Sequence, residues 1–196
     1  MSDSDALLWQ RAVAGDSDAF GDLYGRHSKA IYNYLFRRTG DWSEAEDLVA
    51  SVFLEAYRRR DTARVDDGMI VPWLFGIATN LANNRARSRW RGRRLLERVR
   101  SEVSVARPET GLARYEAQEQ MRALLLRHRA LPRKQQDVVA LCLWSGFSYE
   151  DAAMALSVPV GTVRSRLSRA RTALAELEPP FELDFGSDAR PDEVIP

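Results

Sequence analysis

Residues 148–174 read SYEDAAMALSVPVGTVRSRLSRARTAL, and they predict the fold of the chain more directly than any other stretch. Two helical patterns are separated by a Ser-Val-Pro-Val break. In the second pattern, residues 160–174, apolar residues recur every three or four positions and so share one helical face. This second helix carries four arginines and no acid. Its apolar residues are Val160, Val163, Leu167, Ala170 and Leu174.

The face opposite the apolar residues is suited to DNA. Arginine can pair with guanine through two hydrogen bonds, and hydroxyls and cations can hold phosphates. The preceding helix begins at Ser148, a residue type that caps helices, and supplies small residues that allow close crossing. We therefore predict a helix-turn-helix with residues 160–174 as its recognition helix. An ordinary amphipathic surface helix is the alternative. The polar face carries Ser165, Ser168, Arg169 and Thr172, flanked by Arg164, Arg166 and Arg171.

Composition sets limits on the class of protein. The 196 residues carry a net charge of +1, but charge is unevenly distributed, because eight arginines between Arg85 and Arg100 face only Glu97. The single cysteine, Cys142, cannot form an internal disulfide, which fits a reducing cytosol. No hydrophobic run reaches membrane-spanning length, and the N-terminus lacks the pattern of a signal peptide. We expect a cytoplasmic, soluble protein without membrane insertion.

Helical periodicity recurs throughout the chain and strand alternation does not persist, which predicts an all-α fold. Ser43 and Glu46 have the spacing of a capping box that opens a helix to about Arg59. Residues 61–71 read as a loop, and Pro72 suits the first position of the next helix. We predict two helical domains, residues 5–100 and 115–178, joined by a flexible linker, residues 101–114. An acidic, disordered tail follows at residues 179–196.

The helix that follows Pro72 carries a second candidate nucleic-acid surface. An aromatic, two amides and two arginines fall on one face, apart from the apolar residues. Bases stack on aromatic rings, amides read base edges and arginines follow phosphates, which favours a single strand as ligand. Trp73 as a core aromatic, and the arginine run as a solvated basic helix, are the alternatives. The residues are Trp73, Asn80, Asn84, Arg87 and Arg91.

Two blocks of sequence resemble the sigma-70 family, specifically its small two-domain extracytoplasmic-function (ECF) group. The first block is DLVASVFLEAY, residues 47–57, followed by PWLFGIATN, residues 72–80. The second is LPRKQQDVV, residues 131–139, followed by GFSYEDAA, residues 146–153, and VGTVRSRLSRAR, residues 160–171. The resemblance implies a promoter-specificity subunit that binds bacterial core RNA polymerase and promoter DNA, as duplex at the −35 element and as single strand at −10.

The resemblance also implies roles for individual residues. Core polymerase binding falls to Asp47, Leu48, Val52, Glu55 and Tyr57. Binding and melting of the −10 element fall to Arg64, Trp73, Asn80, Asn84, Arg85, Arg87 and Arg91. Recognition of the −35 element falls to Thr162, Arg164, Ser165, Arg166, Ser168, Arg169 and Arg171.

Other classes of protein predict different behaviour. A conventional helix-turn-helix regulator would bind symmetric half-sites as a dimer, whereas a sigma factor is expected to be a monomer when free. We expect no enzyme and no cofactor, since the two histidines are isolated and neither a phosphate loop nor a metal-spaced cluster is present. An anti-sigma factor is a further hypothesis about partners.

Overall fold

The structure is a computed structural model that describes residues 3–63, 65, 69–96 and 125–176, with side chains omitted from 90 to 96. These residues form helices and turns without a strand, which confirms the all-α prediction. In chain order the helices are α1 (Asp5–Val13), α2 (Ser17–Thr39), α3 (Trp42–Arg59), α4 (Ile70–Leu96), α5 (125–130), α6 (Arg133–Val138), α7 (Tyr149–Leu156) and α8 (Val160–Glu176).

The N-terminal half, α1 to α4, has a core built from the apolar faces of its helices. Its buried residues recur at three- and four-residue spacing along each helix, as an amphipathic pattern requires. One buried polar pair is satisfied inside this core: the Tyr34 hydroxyl lies 2.6 Å from Thr79 Oγ1, which donates to the Phe75 carbonyl. The core includes Leu8, Trp9, Leu23, Ile31, Leu35, Val52, Phe53, Ala56, Leu74 and Ala78.

The start of α3 differs from the prediction. Gly40 ends α2 in the left-handed conformation, with φ at 70°, and the extended Asp41 that follows caps α3. Its carboxylate accepts a 2.9 Å hydrogen bond from the Glu44 N–H. The predicted capping box of Ser43 and Glu46 is therefore wrong, because the break after α2 leaves a capping side chain two residues earlier.

The C-terminal half, α5 to α8, contains the predicted helix-turn-helix. Ser148 caps α7, as expected, by accepting a 3.0 Å hydrogen bond from the Asp151 N–H. A three-residue turn, 157–159, separates α7 from α8, and its first residue, Ser157, has a positive φ of 52°. Before α7 begins, α6 continues into a π-helical turn, Val139–Trp144.

The two halves pack against each other through α4 and α7. Gly76 lies so close to α7 that a Cβ atom there would approach the Ala155 carbonyl oxygen to 2.6 Å. Beside it, the rings of Phe75 and Phe147 have centroids 4.7 Å apart. The contact therefore depends on glycine, because any side chain at position 76 would push α7 away from α4.

A buried polar network crosses the same interface, and we call Arg38, Asn83 and Asp137 the Asp137 cluster. The Arg38 guanidinium lies 2.8 Å from the Asp137 carboxylate, and their side chains are only 4% and 11% exposed. The Asn83 amide donates to both carboxylate oxygens of Asp137, at 3.1 and 3.2 Å. Arg129 extends the network by donating to the Thr39 carbonyl at 2.7 Å.

Candidate nucleic-acid interface

Helix α8 has one buried face and one exposed basic face. Val163, Leu167 and Ala170 are buried, which confirms the predicted apolar face. This packing fixes the orientation of the helix, so that the arginines and hydroxyls of the opposite side point to solvent. Of the residues expected at the −35 element, Thr162 and Arg166 are partly exposed. The exposed ones are Arg164, Ser165, Ser168, Arg169 and Arg171.

Two arginines of α8 are held along the helix surface. Arg169 donates through Nε to the Ser165 carbonyl at 3.1 Å and through Nη2 to the Ser165 hydroxyl at 3.3 Å. The Arg164 guanidinium lies 5.6 Å from the centre of the Tyr149 ring, with Nη2 at 4.0 Å from Glu150. Both side chains remain exposed, so these weak surface contacts leave them available to a duplex.

The residues expected at the −10 element do not form a single surface. Asn80, Asn84 and Arg87 are exposed on α4 at spacings that place them on one face. Trp73 is partly buried, edge-on against Trp9 with ring centroids 5.1 Å apart, so one side of its indole is used for packing. Arg64 and the side chain of Arg91 lie outside the described residues.

Arg85 points away from that exposed amide face and toward α3. It donates through Nε to Glu44 at 3.1 Å, and Arg89 donates to the other oxygen of the same carboxylate. Glu44 is only 5% exposed. Sequence reasoning missed this pairing, and the signals available for it were the four-residue spacing of the two arginines and an acid at the start of α3.

Helix α3 offers polar and aromatic groups to a partner. Asp47 and Tyr57 are exposed and Glu55 is partly exposed, where it accepts from Arg59 one turn away. Leu48 and Val52 were expected at the same surface, but they are 7% and 0% exposed and belong to the core. Their side chains therefore orient α3 and do not contact a partner directly.

Two potentially reactive side chains of the C-terminal half are perturbed by burial. Burial lowers the pKa of His128 to about 4, and its Nε2 lies 2.9 Å from the Gln136 carbonyl. Burial raises the pKa of Cys142 to about 11, which makes it a poor nucleophile at neutral pH. Across the described ranges, no three His, Cys, Asp or Glu side chains are grouped as metal ligands, and no helix is long and apolar enough to cross a membrane.

These features define a class: an all-α protein in two halves, with a helix-turn-helix in the second. Family comparison identifies the class further. The family model for sigma-70 region 2 matches residues 23–92, and that for sigma-70 region 4 matches residues 121–174. The chain belongs to the sigma-70 family, and it is an RNA polymerase sigma factor of the ECF type.

Curated relatives match across most of the chain. The RNA polymerase sigma-H factor of Pseudomonas aeruginosa is 31% identical over 184 residues, covering 88% of this chain and 92% of the relative. The ECF sigma factor BldN of Streptomyces coelicolor is 34% identical over 185 residues, covering 91% of this chain and 69% of BldN. The ECF sigma-E factor of Escherichia coli is 31% identical, covering 87% of this chain and 92% of its own length.

Solved structures show the same fold. RpoE of Bartonella quintana, in complex with the anti-sigma factor NepR, has a TM-score of 0.59 and 28% identity, covering 80% of this chain and 94% of RpoE. CnrH, in complex with the cytosolic domain of CnrY, has a TM-score of 0.68 and 24% identity, covering 89% and 97% of the two chains. The second likeness concerns the fold alone.

Proposed function

We propose that this sigma factor divides its work between its halves. The C-terminal half reads the −35 element as duplex, while the N-terminal half binds core polymerase and holds the displaced strand at −10. The observation that carries the proposal is the two-sided α8. It buries Val163 and Leu167 and exposes arginine and serine side chains on the opposite face. That arrangement suits a helix lying in the major groove.

Polymerase binding is assigned to the outer surface of α3. Asp47, Glu55 and Tyr57 provide two carboxylates and an aromatic ring that are accessible to a partner. The Tyr57 ring packs edge-on against the Phe20 ring, with centroids 5.1 Å apart, and the Arg60 guanidinium lies 4.0 Å from the centre of the Tyr57 ring. An aromatic side chain held in this way contributes contact area with little loss of conformational entropy on binding.

Strand opening is assigned to α4 and the loop before it, and it needs no catalytic group. Unstacking a base costs a few kcal/mol, while one aromatic stack returns about 1–3 kcal/mol. The exposed Asn80, Asn84 and Arg87 can add base-edge and phosphate contacts. Trp73, nearer the start of the same helix, packs one side of its ring against Trp9 and can offer the other side to a base. These contacts can favour melting without ATP.

The two halves must separate to act at both elements. The −35 and −10 elements lie about 25 base pairs apart, which is roughly 85 Å of duplex at 3.4 Å per base pair. A compact chain of this length has a radius of gyration of roughly 16 Å and is about 40 Å across. Residues 97–124 connect the described halves, and a chain of that length can span about 90 Å when extended. We therefore infer that the packed arrangement belongs to the free protein before promoter binding, which we expect to be a monomer.

An anti-sigma factor is proposed as the regulator. The supporting observation is that RpoE, 28% identical to this chain, was solved in complex with the anti-sigma factor NepR. Affinity purification of the tagged chain from its own cells tests this proposal. We expect a protein that, once purified, blocks transcription by the chain with core polymerase. Full activity in the presence of every co-purifying protein would contradict it.

Run-off transcription tests the proposed function. Purified core polymerase plus this chain should start RNA at discrete genomic sites. If Arg169 reads a base, Arg169→Ala should lose about 1–3 kcal/mol of discrimination between bases at one position of the −35 element. Equal weakening on all promoter variants would reduce Arg169 to a phosphate contact. Dimeric binding to symmetric half-sites without polymerase would instead favour a conventional helix-turn-helix regulator.

A further inference from the structure

Glu44 connects the helix assigned to polymerase with the helix assigned to DNA. It lies in the first turn of α3, and its carboxylate accepts hydrogen bonds from Arg85 and Arg89 of α4. Helix capping does not need this carboxylate, because Asp41 caps α3 and uses only the backbone N–H of Glu44. The side chain of Glu44 is thus committed to the two arginines.

The pairing uses the chemistry by which arginine recognises DNA. A guanidinium binds a carboxylate and a phosphate with the same fork of N–H donors. Arg85 and Arg89 open the run of eight arginines between residues 85 and 100, in which Glu97 is the only acid. Glu44, contributed by another helix, supplies this run with a second counter-charge.

We propose that Glu44 is an internal stand-in for a DNA phosphate, which occupies Arg85 in the free protein and releases it to the displaced strand during promoter opening. This inference rests on the function proposed above. Arg85 is the member of the group that can leave, since its side chain is 57% exposed, whereas Arg89 is 36% and Glu44 is 5% exposed. Free protein therefore binds single strands with fewer phosphate contacts than its arginines would allow.

Salt titration of the full-length chain on a fluorescein-labelled oligo-dT strand tests the proposal. Each phosphate contact on a single strand adds about 0.7 to the slope of log K against log salt. We expect Glu44→Gln to steepen the slope by about 0.7, since Arg85 becomes available to phosphate. Glu46→Gln removes the same charge from an exposed site two residues away and is the matched control. A slope for Glu44→Gln equal to that of the control would overturn the proposal.

A double-mutant comparison separates the proposal from a purely structural clamp. Arg85→Gln should reduce the slope by about 0.7 in the Glu44→Gln background and by less in the Glu44 background, where the arginine is already occupied. Equal losses in both backgrounds would show that Glu44 does not compete with phosphate.

A measurement with core polymerase keeps the proposal testable if Glu44→Gln does not fold. Arg85→Gln alone should lower the fraction of melted promoter, measured by permanganate reactivity of thymines. In the free protein it should reduce the salt slope of strand binding by less than the value of one phosphate contact. Loss of a full contact from the free protein would contradict the inference. Absence of any melting by the wild-type chain would contradict the proposed function, and the strand-binding measurements would still decide the role of Glu44.

Discussion

Glu44 and Asp137 are both buried carboxylates that hold an arginine from another helix, but the two sites differ in what surrounds the cation. Glu44 joins two helices of the N-terminal half, and its partners Arg85 and Arg89 reach solvent. Asp137 joins the two halves, and its partner Arg38 is only 4% exposed. If the carboxylate is lost, hydrated arginines remain at the first site and a buried, unpaired charge remains at the second.

The difference suggests different roles for the two carboxylates. Apolar groups would stabilise a permanent domain interface at least as well as an ion pair, because burying an ion pair rarely adds net stability. Separation of the halves, as proposed above, would return the Asp137 cluster to water, so we expect its charges to lower the cost of opening. The contact around Glu44 can change its partner without unfolding either helix. We therefore expect the Asp137 carboxylate to govern separation of the halves and the Glu44 carboxylate to govern access to Arg85.

Asp137→Ala should have the largest effect. It leaves the buried Arg38 without a counter-charge and with only the Asn83 amide oxygen as a side-chain hydrogen-bond acceptor, at 2.8 Å, which should destabilise the packed arrangement by about 3–5 kcal/mol. Because Arg38 regains water when the halves part, we expect separation of the halves and not global unfolding. Small-angle scattering should show a radius of gyration well above the roughly 16 Å of a compact chain. Asp22→Ala removes an exposed acid from α2 and is the control. The same compact radius for both variants would show that the Asp137 cluster does not hold the halves together.

The pH dependence of stability should be the next largest effect. The folded-state pKa of His128 is lowered to about 4 by burial, whereas an unfolded histidine titrates near 6.5. The unfolded chain therefore binds more protons below that value, so stability is complete above pH 6.5 and falls as the pH drops toward 4. Between pH 7 and pH 5 the loss should be about 2 kcal/mol.

Urea unfolding at the two pH values measures this loss. His128→Gln should show a smaller change between pH 7 and pH 5, because it removes the titrating group and retains a hydrogen-bond donor for the Gln136 carbonyl. An unchanged dependence in this variant would assign the effect to other groups.

Ser157→Gly should have the smallest effect and the opposite sign. Ser157 is the only described non-glycine residue with positive φ, at 52°, and glycine adopts this conformation without the steric cost of a Cβ. We expect a stabilisation of about 0.5–1 kcal/mol in thermal unfolding. Ser51→Gly, within α3, should instead destabilise by about 0.5 kcal/mol, since glycine weakens a helix interior. Destabilisation by both changes would contradict the explanation.

Local patterns of the sequence predicted much of the fold and only part of the site. Spacing alone identified the buried face of α8 and the cap at Ser148, because both depend on residues within a few positions of each other. The exposed Asn80, Asn84 and Arg87 were predicted on the same basis. The periodicity that placed them says nothing about which neighbouring helix covers the remaining faces of α4.

Contacts between distant parts of the chain could not be read in the same way. Arg38 and Asp137 are residue types usually found in solvent, and only the packing of the two halves brings them together, beside Asn83. Arg85 was expected on the DNA-binding surface from the family resemblance, but its side chain donates to Glu44 of α3. The partners of a charged side chain depend on which helices pack beside it, and the residue pattern of a single helix does not predict that packing.

Energy transfer between dyes on the two halves tests the central claim most directly. Lys29→Cys and Ala175→Cys place labels on exposed positions of α2 and α8, and native Cys142 should react poorly because burial raises its pKa to about 11. We predict a separation within about 40 Å in the free protein and roughly 85 Å in a complex of core polymerase and promoter that is making RNA. An unchanged separation in that active complex would contradict the account.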